Sequence, residues 1–211
     1  MFFAANLFAQ NSLTNTTPEF VFHREAWFNS PNYISRMTEA FNAHIGAEID
    51  FNQVNASSDK TNLSNAEMFK LLFVPDMTLT NATLEKTMVT FIGSMENHVW
   101  SYNGNKNFVH IQPITNALSM TRIDQVSFTN GTLFEVGKIL SKYGLKIFPS
   151  FTQGRIGGNN RRIYDDKISL ELREAFLCEI LDAITGQIPD AVGWTIREKI
   201  IYFHGINEEK Q

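Results

Sequence analysis

Residues 166–204 contain the most regular pattern in the chain: DKISLELREAFLCEILDAITGQIPDAVGWTIREKIIYFH. Ile168, Leu170 and Leu172 alternate with polar residues, as in a strand with one buried face. The next apolar residues recur with the period of a helix, at Leu177, Ile180, Leu181 and Ile184. Apolar residues in 194–203 then predict a β-hairpin. The stretch therefore predicts the order strand, helix, strand, strand.

Composition limits both the architecture and the class of partner. The 211 residues are 43% hydrophobic, which suffices for one large domain or two small ones, each with a core. A net charge of −4 argues against a nucleic-acid binder, which carries a basic face. The chain body has no apolar run long enough to span a bilayer. Cys178 is the only cysteine, and its apolar neighbours predict a small buried hydrophobe rather than a nucleophile.

The first residues, MFFAANLFAQ, resemble the end of a secretory signal peptide with a candidate cleavage site after Ala9. Residues 1–17 are therefore predicted to be a signal-peptide remnant followed by a disordered lead-in, and 207–211 a frayed tail. We expect a periplasmic or secreted protein. The alternative is an apolar segment that packs on the domain, which would place the protein in the cytoplasm.

The predicted order of elements occurs twice along the chain. In the first half, strands near 19–28 and 47–51 flank a helix that extends to Ile45 and ends at Gly46. A strand at 77–80, a helix capped by Asn81, and strands at 100–102 and 108–111 follow. In the second half, a strand at 126–128, a helix from Asn130 to Gly144 and a strand at 145–148 precede residues 166–204.

Seven residue pairs match between the two halves: Phe28 with Phe128, Gly46 with Gly144, Leu84 with Leu177, Met88 with Leu181, Phe91 with Ile184, Gly93 with Gly186, and Trp100 with Trp194. Such a match indicates an internal repeat. The sequence thus predicts an α+β fold with two related small domains, 18–114 and 120–206. Each would comprise β-α-β plus β-α-β-β, with helices packed on one face of a small sheet.

Two segments of the second half, ISLELREAFLCEILDAI (168–184) and WTIREKIIYF (194–203), resemble the secretin and TonB short N-terminal domain, the STN domain. MTLTNATLEKTMVTFIGSM (77–95) with WSYNGNKNFVHI (100–111) is similar to a more diverged copy. The resemblance covers roughly 80 residues, and it consists of apolar spacing and punctuation. It implies periplasmic modules that contact other proteins and are not catalytic. Neither a secretin barrel-forming segment nor an outer-membrane barrel follows, so pore and transporter functions are not implied.

The loop GRIGGNNRR (154–162) is the strongest candidate binding segment. Its glycines allow backbone N–H groups to converge on an anion, and Arg155, Arg161 and Arg162 can pair with phosphate or carboxylate. The loop lacks the Lys-Ser/Thr and the strand-to-helix context of a P-loop. The alternative is a solvated, flexible linker.

Trp100 and Trp194 occupy matching places, each at the start of a hairpin behind its helix. An indole at this position covers the helix end and buries a large apolar area, which predicts a role in the core. The alternative is a pair of aromatic rings that stack on a ligand, one in each repeat.

Recognisable catalytic and metal-binding patterns are missing from the sequence. The five histidines lack the i, i+3 or i+4 spacing of a helical metal pair. Asp165 with Asp166 and Glu171 with Glu174 are the nearest approach to paired carboxylates, but adjacent side chains diverge on a strand, so general acid-base catalysis is not predicted. We therefore expect no catalytic residue, metal or cofactor.

These observations favour a non-enzymatic, exported module for protein interaction or scaffolding. Its partner would be another envelope protein or a second copy of itself. The alternative is an enzyme or a binder of small ligands or glycans, with a site between the two domains near the loop from Arg155 to Arg162.

Overall fold

The chain has a mixed α+β fold in the computed structural model, which describes residues 16–22, 38, 40–49, 77–93, 97–147, 154–156, 159–161, 166–188, 191–197 and 199–205. The strands are β1 (Thr16–Phe22), β2 (His44–Ile49), β3 (Met77–Thr83), β4 (His98–Asn103), β5 (Phe108–Pro113), β6 (Arg122–Gly131), β7 (Lys146–Ile147), β8 (Gly154–Ile156), β9 (Asn159–Arg161), β10 (Ile168–Phe176), β11 (Ala191–Arg197) and β12 (Ile200–Gly205). Three α-helices lie in these ranges: α1 (Leu84–Ile92), α2 (Leu133–Leu140) and α3 (Leu177–Thr185). None of the helices described is long and apolar enough to cross a membrane.

A six-stranded sheet with the order β4-β5-β2-β11-β12-β7 joins elements from both halves of the sequence. The hairpins β4-β5 and β11-β12 are antiparallel, whereas β5-β2, β2-β11 and β12-β7 are parallel pairs. Two antiparallel ladders, β1-β3 and β6-β10, lead into α1 and α3 respectively. The central pair β2-β11 is therefore the point where the two halves meet.

The helices cover opposite faces of this sheet. In β5, Val109 and Ile111 pack with α1 in one apolar cluster, whereas Phe108 packs with α2 and α3 in the other. Side chains alternate between the two faces of a strand, so the two clusters lie on opposite sides of the sheet. On β11, Val192 belongs to the α1 cluster and Trp194 to the α3 cluster.

Gly46 is a strand residue, not the helix C-cap predicted from the sequence. The helical residues that precede β2 end at Phe41. Asn42 then has a φ of 52°, and β2 begins at His44. Asparagine tolerates this left-handed conformation, so no glycine is needed to end the helix. Gly46 instead pairs with Trp194, and a Cβ at Gly46 would lie 2.3 Å from Cζ2 of that indole.

The N-caps of α1 and α2 are threonines rather than the predicted asparagines. The Thr83 hydroxyl accepts from the backbone N–H of Lys86 at 3.2 Å and caps α1. The backbone N–H of Thr132 donates to Glu135 at 2.7 Å in a capping box that begins α2. Asn81 and Asn130 lie earlier, inside β3 and β6, with φ of 49° and 52°. Both strands therefore run further than predicted before their helices begin.

Two further boundaries differ from the sequence prediction. β1 begins at Thr16, so the last two residues of the predicted 1–17 lead-in belong to a strand. Within the predicted flexible loop 154–162, β8 and β9 pair in antiparallel register, with Arg155 opposite Asn160. Residues 1–15, most of the predicted first helix and the tail 207–211 lie outside the described ranges.

The contact between Gly46 and Trp194 predicts that Gly46→Ala lowers the free energy of unfolding by about 1–3 kcal/mol, as overpacking does. Gly137→Ala on α2 is the control, because a Cβ there meets Ile147 no closer than 3.7 Å. Its better helix propensity should raise stability by up to about 1 kcal/mol. Urea denaturation measures both changes. Equal effects of the two variants would contradict this account.

Candidate functional site

A buried carboxylate, Asp182 on α3, connects three elements beside the β2-β11 pair. Nε1 of Trp194 on β11 donates to Oδ1 of Asp182 at 3.0 Å. Nε2 of His110 on β5 lies 3.0 Å from both carboxylate oxygens. A carboxylate oxygen accepts hydrogen bonds, so Nε2 of His110 is the donating nitrogen in these contacts. We call His110, Asp182 and Trp194 the polar junction.

An aromatic column runs across the sheet from His44 to the polar junction. Ring centroids are 5.2 Å apart between His44 and Phe108, 5.6 Å between Phe108 and His110, and 5.9 Å between His110 and Trp194. The column passes from β2 through β5 to β11 on the α3 face. Gly46 allows it, because a side chain there would occupy the space of the indole.

Burial shifts the pKa values of two nearby groups, Cys178 and His44, in the direction that favours their uncharged forms. Burial raises the pKa of Cys178 to about 11, helped by the negative charges of Asp182 and Glu179. This thiol therefore stays protonated and is a poor nucleophile. Burial also lowers the pKa of His44, although the Val192 backbone and Asp182 act in the opposite direction.

A buried histidine, His204, lies near the end of β12. Nε2 of His204 on β12 is 2.9 Å from the Thr195 hydroxyl on β11. Burial, and then the positive charge of Arg197, lower the pKa of His204 to about 3. The ring is therefore neutral at physiological pH and cross-links the hairpin as a core residue.

A second buried carboxylate, Glu48 on β2, holds the connection between the two halves. Its two oxygens accept from the backbone N–H groups of Leu118 at 2.6 Å and Ser119 at 2.7 Å. These donors begin the short 3₁₀ turn Leu118–Met120, and Glu48 is only 4% exposed. The carboxylate therefore fixes the path of the chain from β5 to β6.

The polar junction is suited to structural cross-linking rather than to proton transfer. Both oxygens of Asp182 already have a donor, and the residue is 3% exposed. Among the described residues, no group of three or more His, Cys, Asp or Glu is arranged to hold a metal ion. These contacts connect β5, β11 and α3.

The residues singled out in the sequence lie in different surroundings. Trp194 is fully buried, so its ring has no face available for stacking on a ligand. Trp100 is half-buried on β4 and packs against the α1 cluster. Arg155 and Arg161 lie on β8 and β9, but their side chains, and all of Arg162, are outside the described part of the structure.

Sequence reasoning missed the polar junction. Asp182 lies among the buried residues Cys178, Leu181 and Thr185 of α3. A single carboxylate among apolar residues of a helix was the one feature of the sequence that could have indicated a buried polar contact. No local pattern indicates that His110 is its partner, because the two residues belong to different halves of the chain.

An apolar groove lies between α2 and β7, with a volume of about 400 Å³. Its lining includes Leu133, Phe134, Gly137, Lys138, Leu145 and Ile147. Phe134 is 68% exposed at the rim, and Nζ of Lys138 lies 4.6 Å from the centroid of its ring. We call this feature the α2 groove.

Comparisons with protein-family models, curated proteins and solved structures found no match for this chain.

The polar junction predicts that Asp182→Asn destabilises the protein by about 1–3 kcal/mol, because the amide oxygen replaces only part of the accepting capacity and leaves a buried donor unsatisfied. The control is Glu171→Gln, which removes the same charge from a side chain that is 69% exposed. Chemical denaturation at pH 7 measures both. A loss for Asp182→Asn no larger than that of the control would contradict the structural role.

Proposed function

We propose that this protein is a non-enzymatic, exported module for protein interaction or scaffolding in the cell envelope. The observation that carries the proposal is the α2 groove with the exposed Phe134. A large aromatic ring left in water beside an apolar groove is typical of a protein contact site. Lys138 adds a cationic rim that favours a partner with an acidic or carbonyl-rich edge.

The state of the buried polar groups supports a non-enzymatic role. Both carboxylate oxygens of Asp182 accept hydrogen bonds, Glu48 accepts from the backbone of a turn, and the Cys178 thiol is protonated at neutral pH. These residues contribute to architecture, and their arrangement supplies no pair of acid and base facing solvent.

The proposal includes two related α+β units, and the backbone conformations support it. Residues other than glycine rarely have positive φ. Residues with positive φ recur at matching places in the two halves. Asn42 lies just before β2 and Gly144 just before β7. Asn81 lies three residues before α1 and Glu174 three residues before α3, while Asn107 immediately precedes β5 and Lys199 immediately precedes β12. Recurrence at three matching places favours a duplication, and we propose STN-like units as its copies on the sequence resemblance alone.

Export is the second part of the proposal and rests on the apolar segment that ends near Ala9. Mature protein isolated from the periplasm or medium should begin at Gln10. N-terminal sequencing of the native protein after cell fractionation checks this. A cytoplasmic protein that retains Met1 would contradict export and leave the interaction role to be judged separately.

The interaction role predicts that immobilised protein captures a partner from envelope extract and that Phe134→Ser lowers the captured amount at least tenfold. Loss of a buried aromatic anchor commonly costs 2 kcal/mol or more, on the order of this change. Phe176→Ser is the matched control, since Phe176 is 39% exposed at the start of α3, away from the α2 groove. Quantitative mass spectrometry measures capture. No capture by the unaltered protein, or equal loss in both variants, would contradict the role.

A further inference from the structure

Inside the chain, β2 and β11 already form one contact between the two halves. Val192 of β11 is 2% exposed and packs with Phe41 and Ile45, which lie at the end of the helical residues and in β2. The Thr38 hydroxyl donates to the Val192 carbonyl at 3.3 Å. The valine of β11 thus fills the space between the end of the helical residues and the parallel strand β2. We call this contact the internal junction.

The two outer strands of the six-stranded sheet, β4 and β7, have the same relations to their neighbours as the strands of the internal junction. β4 is the first strand of a hairpin with β5, as β11 is with β12. β7 is parallel to β12, as β2 is parallel to β5. In the part of the chain that the structure describes, the sheet therefore ends in one edge of each kind that the internal junction joins.

The groove and the valine of the internal junction also have counterparts at these edges. The α2 groove lies between α2 and β7, where the other half places Val192 between helical residues and β2. On β4, Val99 is 42% exposed and precedes Trp100, at the position that Gly193 has before Trp194 on β11. The register of β11 shifts between Ala191 and Gly193, so Val192 lies on the face opposite Trp194, as Val99 lies opposite Trp100. One end of the sheet thus presents a valine, and the other end presents an apolar groove.

We propose that a second copy of this chain binds by laying its β4 alongside β7 in parallel, with its Val99 in the α2 groove. The inference rests on the proposed interaction role and names the partner. In the internal junction, Gly193 lies opposite Ile45. The strand pairings place Val99 where Gly193 lies in the other hairpin, and Ile147 where Ile45 lies in the other parallel strand. Val99 of one copy therefore lies opposite Ile147 of the next. The contact joins two different surfaces, so each added copy exposes a new edge and the assembly grows head to tail.

The first test measures molar mass by light scattering over a hundredfold range of protein concentration. The unaltered chain should exceed the mass of a dimer as concentration rises. Val99→Glu should be monomeric throughout, because it places a charge in the apolar groove. Val89→Glu is the matched control, because this valine is 57% exposed on the helix α1 rather than on an outer strand of the sheet. It should assemble like the unaltered chain.

The second test separates this contact from a symmetric pairing of two β4 strands. Gly137→Leu should fill the α2 groove, since a Cβ there already points toward Ile147. This variant should be monomeric alone and should form a dimer, and no larger species, when mixed with Val99→Glu. A Gly137→Leu chain that still dimerises alone would show symmetric β4 pairing and overturn the proposal.

A third measurement covers the case in which Gly137→Leu does not fold. Mixed Val99→Cys and Ile147→Cys chains should form a disulfide-linked heterodimer on mild oxidation, whereas Val89→Cys with Ile147→Cys should not. A monomeric unaltered chain, or equal cross-linking in the two mixtures, would overturn the self-assembly proposal. Capture of a different envelope protein that depends on Phe134 would then still support the interaction role.

Discussion

The indole of Trp194 over Gly46 is the contact on which the rest of this structure depends. The ring occupies the space of a side chain in the neighbouring strand, so β2 and β11 pair closely only with glycine at that position. Its Nε1 reaches a carboxylate on α3 that also contacts His110 of β5. One aromatic side chain therefore sets strand pairing, helix position and the approach of the two halves.

The buried carboxylates of Asp182 and Glu48 determine how the surrounding elements are positioned more than they add to the free energy of unfolding. Removing a carboxylate from water is costly, and hydrogen bonds only offset that cost when each accepting oxygen has a donor. Asp182 meets this condition with His110 from the other half and Trp194 from its own half, and Glu48 meets it with Leu118 and Ser119 in the connection between the halves. A slip in the pairing of β2 with β11 would separate these groups, so the buried carboxylates disfavour alternative registers.

Local patterns were sufficient to predict the α+β class, the regular elements around α1 and α3, and burial of Cys178. Apolar periodicity and turn residues carry that information within a few residues of each element. The polar junction depends on contacts between residues in different halves, such as His110 with Asp182, and no local pattern encodes them. The role of Gly46 was misassigned for the same reason: a glycine near a helix end satisfies a capping pattern, and the distant indole is invisible in the sequence. The threonine caps show a related limit, because Asn81 and Asn130 are also good capping residues and the extended strands β3 and β6 decide between them.

The parallel pairing of β2 with β11 has a consequence for synthesis of the chain. β2 is synthesised well before β11, its parallel partner. Until β11 emerges from the ribosome, the backbone edge of β2 that pairs with it, and Gly46, are uncovered. Non-local pairing of this kind slows folding and leaves newly made chains open to aggregation. The interval before the β11-β12 hairpin emerges is therefore when a chaperone would protect this chain most.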